Sequence, residues 1–187
     1  VGNSGLNVPL IIRYPNKINA GKVDDKIVSL MDLGPTVLSL LNIQPPKHYD
    51  GKAIAGRYEE KPRSYAFGTA DRFDESTDMQ RSVLDGRYVY IKNFMPELPL
   101  IYRNKYRERI TMNSKLIQMD SLDMLDGDSK YIFMKTKPLE EFYDLDTDPY
   151  EVNNIIDDPK HADRINDFRV ALENWQNEIN DQGFIPE

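Results

Sequence analysis

Apolar residues first gather into a short unbroken run, Val8-Pro9-Leu10-Ile11-Ile12, closed by Arg13-Tyr14-Pro15. A continuous run between two prolines predicts a strand buried on both faces, as inside a parallel sheet. Such a strand needs a neighbour on each side, so the run predicts that the chain enters in the middle of a domain. Pro15-Asn16-Lys17 then reads as a turn, and Val23 to Leu30 brings the chain back toward the sheet. Ser29 to Leu41 predicts a helix from about Asp32, with Pro35 early in it, where a missing N–H costs little. Gln44-Pro45-Pro46 through Asp50-Gly51 is turn chemistry and marks a boundary, and Glu59-Glu60-Lys61-Pro62-Arg63 reads as a charged linker.

The pattern then changes from unbroken runs to alternation. Ser64 to Gly68 predicts a strand that ends at about Ala70. Gln80 to Leu84, the dipeptide Asp85-Gly86, and Arg87 to Ile91 predict a hairpin, because Asp-Gly supplies the positive φ that a tight turn requires. Tyr88, Tyr90 and Lys92 alternate with Val89, Ile91 and Asn93, which predicts one apolar and one mixed face. Glu140 to Leu145 predicts a further strand. Between them, Leu98 to Lys137 is a polar insertion, basic at Arg103, Lys105, Arg107 and Arg109 and acidic later, with room for a helix or two. From His161 to Asp181 the three- and four-residue spacing of Ile165, Phe168, Leu172, Trp175 and Ile179 predicts a helix with an apolar stripe. The fold class is α/β, or more narrowly an α+β fragment: the last βα unit of a larger sheet, then an antiparallel sheet with a terminal helix packed on it.

Composition narrows the function classes. The 187 residues carry 31 acidic and 24 basic side chains, a net charge of -7. That lacks the basic excess used for binding nucleic-acid phosphates, so nucleic acid is not an expected partner. No apolar run approaches the roughly 20 residues needed to span a bilayer as a helix. The chain has no cysteine, which excludes disulfides, zinc–thiolate sites and a cysteine nucleophile within it.

Two local patterns imitate known chemistry. Gly2-Asn3-Ser4-Gly5 starts like a nucleophile elbow, but Leu6 stands where the second glycine belongs and the motif precedes a strand instead of following one. Asp144-Leu145-Asp146-Thr147-Asp148 starts like a calcium loop, but Pro149 and Ile155 occupy the positions of its glycine and glutamate, so a capping turn explains it better. His48 and His161 have no metal-ligand spacing to a partner. The richest polar cluster is Asp71-Arg72-Phe73-Asp74-Glu75-Ser76-Thr77-Asp78. Placed on a loop after a strand, it reads as a recognition loop for a hydroxylated ligand: carboxylates accept sugar hydroxyls and Arg72 pairs with an anion. The plainer reading is a solvated loop with an internal Arg–carboxylate pair.

In their order, several blocks resemble the carboxyl-terminal part of a type I sulfatase of the alkaline-phosphatase-like superfamily. They are Ser4-Gly5 through Val8-Pro9-Leu10-Ile11-Ile12-Arg13 to Ile18; Val28-Ser29 through Asp32-Leu33-Gly34-Pro35-Thr36 to Leu40; Asp50-Gly51; the hairpin from Arg81 to Ile91; and Glu140-Glu141-Phe142-Tyr143-Asp144-Leu145 through Asp148-Pro149-Tyr150-Glu151 to Asn154. The resemblance implies that residues 1–51 end the large α/β domain. Residues 52–187 would then form a smaller subdomain with a four-stranded antiparallel sheet and a helix.

It implies a parent enzyme that hydrolyses sulfate esters or sulfamates on sulfated sugars, with a formylglycine and a calcium ion held by motifs upstream. No catalytic or metal residue carries over onto this chain, and the expected partners are a sulfated carbohydrate and the amino-terminal catalytic part. Asp71, Arg72, Asp74 and Glu75 become candidate substrate contacts, with Arg81 as a further one. Periplasm, cell surface or lysosome are the compartments such a family favours. Two alternatives stand beside it: a non-catalytic carbohydrate-binding or interaction module of the same fold, and a phosphodiesterase or phosphonate hydrolase of the superfamily.

Overall fold

A computed structural model describes residues 2–73, 75–101 and 103–185. In chain order the elements are α1 (Asn3–Leu6), α2 (Leu33–Leu40), β1 (Ala66–Phe73), β2 (Ser76–Leu84), β3 (Tyr88–Asn93), α3 (Lys105–Glu108), α4 (Thr111–Ser121), α5 (Gly127–Tyr131), β4 (Glu140–Asp144) and α6 (Ala162–Glu178). They fall into two compact units, one built from Val8–Ala66 with Leu84–Gly86 and the other from the remaining chain.

In the first unit, α2 is held by polar contacts. A capping box starts the turn before it: the Ser29 hydroxyl accepts from the Met31 N–H, and the Ser29 N–H donates to Asp32 at 2.8 Å. Asp32 is 1% exposed, and its other carboxylate oxygen accepts from the Lys52 N–H at 2.8 Å and from Arg63 at 2.5 Å. A buried carboxylate survives only when so compensated. The Thr36 hydroxyl accepts from the Ile54 N–H and the Ser39 hydroxyl from the Tyr58 N–H, so the buried stripe of α2 is Pro35, Thr36 and Ser39. Gly51 approaches the Met31 carbonyl so closely that a Cβ would collide with it. The expected linker at residues 59–63 is therefore bonded structure, with Arg63 on Asp32 and Glu59 on Lys26.

The strand expected at residues 8–14 does not form. These residues have no regular secondary structure, Ile11 is 91% exposed, and the described sheet contains β1 to β4 alone. A two-sided strand exists only between hydrogen-bonded neighbours, and none of the described strands is one for it. The stretch from Val23 to Leu30 forms no strand for the same reason.

The second unit is a four-stranded sheet in the order β1-β2-β3-β4. The Asp85-Gly86 turn joins β2 to β3, with Gly86 at φ 98°. β3 and β4 pair antiparallel with Tyr90 opposite Phe142 and Ile91 opposite Glu141. This register assigns the faces. Tyr88, Tyr90 and Phe142 point to one side, where α6 covers them: the Phe142 ring stacks on Tyr88 at 5.4 Å and meets Phe168 edge-on at 5.4 Å. Ile165, Phe168 and Leu172 are each at most 2% exposed, as the stripe predicted. Trp175 stacks on Phe67, whereas Ile179 falls beyond the helix end and is 47% exposed.

Val89, Ile91, Glu141 and Tyr143 point to the other side, and all of them are buried too, so β3 is covered on both faces. The long insertion explains this. It carries α3, α4 and α5, and Tyr131 at the end of α5 reaches Glu141 of that face.

Candidate functional site

On the face of the sheet opposite α6 lies a cavity of about 540 Å³. Its floor comes from strand positions that alternate away from the α6 side: Gln80 on β2, Ile91 on β3, and Glu141 and Tyr143 on β4. Glu141, 3% exposed, accepts from Tyr143 Oη at 2.5 Å, from Asn93 Nδ2 at 2.6 Å and from Tyr131 Oη at 3.0 Å. Gln80 Nε2 donates to Asn93 Oδ1 at 2.7 Å and extends the chain of bonds. Burial pushes the Tyr131 phenol up to about 12 and drives that of Tyr143 up as well, so both hydroxyls remain protonated donors to Glu141 at neutral pH. Beside them Lys137, 5% exposed, reaches both oxygens of Asp78 at 2.6 Å.

The edge is built differently. The Asp148 carboxylate accepts from the backbone N–H groups of Val152 and Asn153 at 2.9 and 2.8 Å, which fixes the turn that brings Tyr150 and Glu151 to the cavity. This supports the capping-turn reading of the Asp-rich motif. Glu151 adopts φ 57°, accepts from the Asn3 N–H at 2.9 Å, and has its carboxyl pushed up by burial. Two cationic side chains line the mouth, Arg72 of β1, which is exposed, and Arg107 of α3, which is half-buried.

The cluster expected as a loop at residues 71–78 is in fact the meeting of two strands. β1 continues to Phe73 and β2 resumes at Ser76, because cross-strand pairing overrides the polar, turn-like composition. The alternation of a strand then separates neighbours. Arg72 faces the cavity. Asp71 accepts from Arg81 at 2.7 Å on the side where Arg81 also grips Asp181 through two bonds of 2.8 Å. Arg81 is 1% exposed there.

Glu75 turns toward the insertion, accepting from the Lys105 N–H at 3.2 Å and from Asn104 Nδ2 at 3.3 Å. Backbone N–H groups, its own and then that of Lys105, hold its carboxyl below the usual range. Asp74 lies outside the described residues. Of the five predicted residues, then, Arg72 lines the cavity, Asp71 and Arg81 form an ion pair beneath the carboxyl-terminal tail, and Glu75 fastens the insertion.

Sequence reasoning missed Arg107, Tyr131 and the Glu141–Tyr143 pair. A signal for the last was present, since Glu141 and Tyr143 flank the core residue Phe142 at strand spacing. Chemically the cavity offers cations at its mouth and a network of hydroxyl, amide and carboxylate groups at its floor, a set that suits a polyhydroxylated anion. Among the described residues, no three His, Cys, Asp or Glu side chains come together as a metal site, and no helix is long and apolar enough to cross a membrane.

Comparison with known proteins sharpens this. Residues 2–70 match the family model described as N-sulphoglucosamine sulphohydrolase, C-terminal. An ulvan-active sulfatase of Formosa agariphila is 37% identical over 99% of this chain and 31% of its own length. The chain spans about a third of the length of the curated relatives it matches. Among solved structures, a 2-O GAG sulfatase superposes with a TM-score of 0.52 at 20% identity, over 83% of this chain and 26% of that one. A protein solved in complex with its substrate D-glucosamine-2-N,6-O-disulfate gives a TM-score of 0.51 at 16% identity, over 83% and 25%. At these identities the superpositions establish the shared fold.

Proposed function

Because the chain belongs with the sulfatases of the alkaline-phosphatase-like fold, as a carboxyl-terminal portion of one, we propose that the whole enzyme hydrolyses sulfate esters or sulfamates on sulfated sugars and that this portion selects the substrate. In that enzyme residues 1–51 complete the large α/β domain and residues 52–187 form the recognition subdomain. Support for the reaction comes from the relatives, an ulvan-active sulfatase and a sulphoglucosamine sulphohydrolase. Support for the role in selection comes from the cavity, whose mouth carries Arg72 and whose edge carries Tyr150, an aromatic ring 85% exposed. Aromatic rings of this kind cover the apolar face of a sugar, while Arg pairs with its anionic substituents.

Calcium and formylglycine belong to this reading as parts of the whole enzyme. Calcium would stabilise charge on the sulfuryl oxygens, and the formylglycine would supply the nucleophile. The donor set of this chain does not fit either group: the described residues bring no three His, Cys, Asp or Glu side chains together, and the chain has neither a cysteine nor a serine followed by Pro at two and Arg at four residues' distance to be converted. No residue of this chain is assigned to them. What these residues do is bind, orient and exclude water.

The observation that carries the proposal is the cavity-facing Arg72 on a sulfatase scaffold. The test is sulfate release by the whole enzyme from sulfated oligosaccharides, measured by ion chromatography. Arg72→Ala is expected to lower kcat/KM by about tenfold, the worth of one charge-assisted hydrogen bond, with the melting temperature unchanged. An enzyme that cleaves phosphodiesters and releases no sulfate would replace this reading with the phosphodiesterase alternative.

A further inference from the structure

The floor of the cavity offers a ligand mainly acceptors, and the bonds beneath it decide this. Asn93 of β3, 0% exposed, donates from Nδ2 to the Pro138 carbonyl at 2.7 Å and to Glu141 Oε1 at 2.6 Å. A carbonyl can only accept, so the atom that meets it is the amide nitrogen, and Asn93 Oδ1 is left to accept. Gln80 must therefore turn its own amide nitrogen inward, 2.7 Å from Asn93 Oδ1. That leaves Gln80 Oε1 without a protein partner among the described residues. Among them the buried side-chain oxygen that lacks a partner is Asn3 Oδ1, so Gln80 Oε1 is accessible, on a residue that lines the cavity.

The tyrosines repeat the pattern. Tyr131 and Tyr143 both donate to Glu141 Oε2, at 3.0 and 2.5 Å. A phenol has one proton, so Tyr131 Oη, also on the cavity wall, has lone pairs left to offer. The buried cation nearby, Lys137, is bound to both oxygens of Asp78. A sulfate or carboxylate brought to such a floor adds lone pairs to lone pairs. A sugar hydroxyl brings the proton that the floor lacks. The second N–H of Gln80 sets one donor beside Oε1, a pairing that two neighbouring hydroxyls satisfy, one donating and one accepting.

We infer that the cavity floor binds an unsulfated hydroxyl edge of the sugar, with Gln80 Oε1 accepting from one hydroxyl and Tyr131 Oη offering a second acceptor. This rests on the sulfatase reading and deepens it: the substrate class is a sulfated sugar that keeps free hydroxyls on the ring held here, not a fully sulfated one. Gln80 is the specificity-determining residue. Asn93 and Glu141 are positioning residues, since they act by fixing which way the Gln80 amide and the Tyr131 hydroxyl point.

The experiment uses the whole enzyme and analogues of one sulfated disaccharide, in which each free hydroxyl in turn is replaced by hydrogen or by a further sulfate. Gln80→Met keeps the length of the side chain and removes the amide. In the wild type, removal of one particular hydroxyl is expected to lower kcat/KM about tenfold, chiefly through KM, and a sulfate at that carbon to lower it at least as far. In Gln80→Met the penalty for removing that hydroxyl is expected to vanish while the penalties at other positions persist. Equal penalties in the two enzymes at every hydroxyl, or a gain from the added sulfate at the coupled one, would overturn the inference. Gln80→Met leaves Asn93 Oδ1 without its donor. Should that variant fail to fold, Tyr131→Phe carries the same comparison: a penalty that vanishes at one hydroxyl supports the acceptor floor, and penalties unchanged at all of them overturn it. Failure of the wild-type enzyme to release sulfate from the parent disaccharide or any analogue would instead overturn the sulfatase reading.

Discussion

Arg81 is a full positive charge at a position only 1% exposed, and it persists there because Asp181 meets it with two hydrogen bonds and Asp71 with a third. Removing one partner strands the charge. Asp181→Asn is expected to cost about 3 kcal/mol of unfolding free energy, read from urea melts at pH 7. The acid dependence follows from the same pair. Arg81 holds the Asp181 carboxyl far below the usual carboxylate range. A depressed carboxyl stabilises the fold above its unfolded pKa, and that stability drains as pH falls through the folded value. The wild type should therefore keep its advantage over Asp181→Asn from neutrality down to about pH 4 and lose it progressively only as the pH falls further.

Glu151 has the opposite sign, because burial raises its carboxyl. Its charged form costs stability, so its contribution is best below the unfolded pKa and declines as pH rises through the folded one. Glu151→Gln keeps an oxygen for the Asn3 N–H and is expected to raise the melting temperature at pH 7, with the gain vanishing near about pH 4, where both states are protonated.

At the scale of elements, α6 is the part of the fold most legible in the sequence. The spacing of Ile165, Phe168 and Leu172 specifies a helix and its buried stripe at once, and Phe168 closes against Phe142 as that stripe requires. Phe168→Ala should cost about 3–5 kcal/mol, measured by denaturant melts, since the ring leaves a cavity that the sheet cannot fill. The hairpin at Asp85-Gly86 was equally legible, because its turn chemistry is local. The turn before Ser76 was not, because charged residues at 71–78 read as loop until cross-strand pairing is known. Faces were harder still. Asp71 and Arg72 are neighbours with the same polar character, and only the pleat sends one to the Arg81 pair and the other to the cavity. The tether between Glu75 and α3 is a long-range contact with no local signature. Glu75→Ala should free α3, seen as faster amide hydrogen exchange across residues 104–109 with β3 and β4 unchanged.

At the scale of the molecule, the resemblance of ordered sequence blocks carried the fold further than any single motif, and the comparisons bear it out at 37% identity to a sulfatase relative. What the blocks could not convey is where the polar cavity lies. Lys137 and Tyr131 belong to an insertion whose polar composition resembles a solvated loop, yet they complete the buried network beneath the sheet. Conversely, the run at residues 8–14 has the composition of a buried strand and lies exposed, since composition alone does not supply hydrogen-bonded neighbours.

The claim on which the account turns is that the cavity over Glu141 and Tyr143, with Arg72 at its mouth, receives the sugar. A crystal structure of the whole enzyme, inactivated and soaked with a sulfated oligosaccharide, measures this directly. The account predicts a sugar ring in that cavity with an anionic substituent paired to Arg72. A saccharide bound productively elsewhere, with the cavity holding solvent alone, would contradict it.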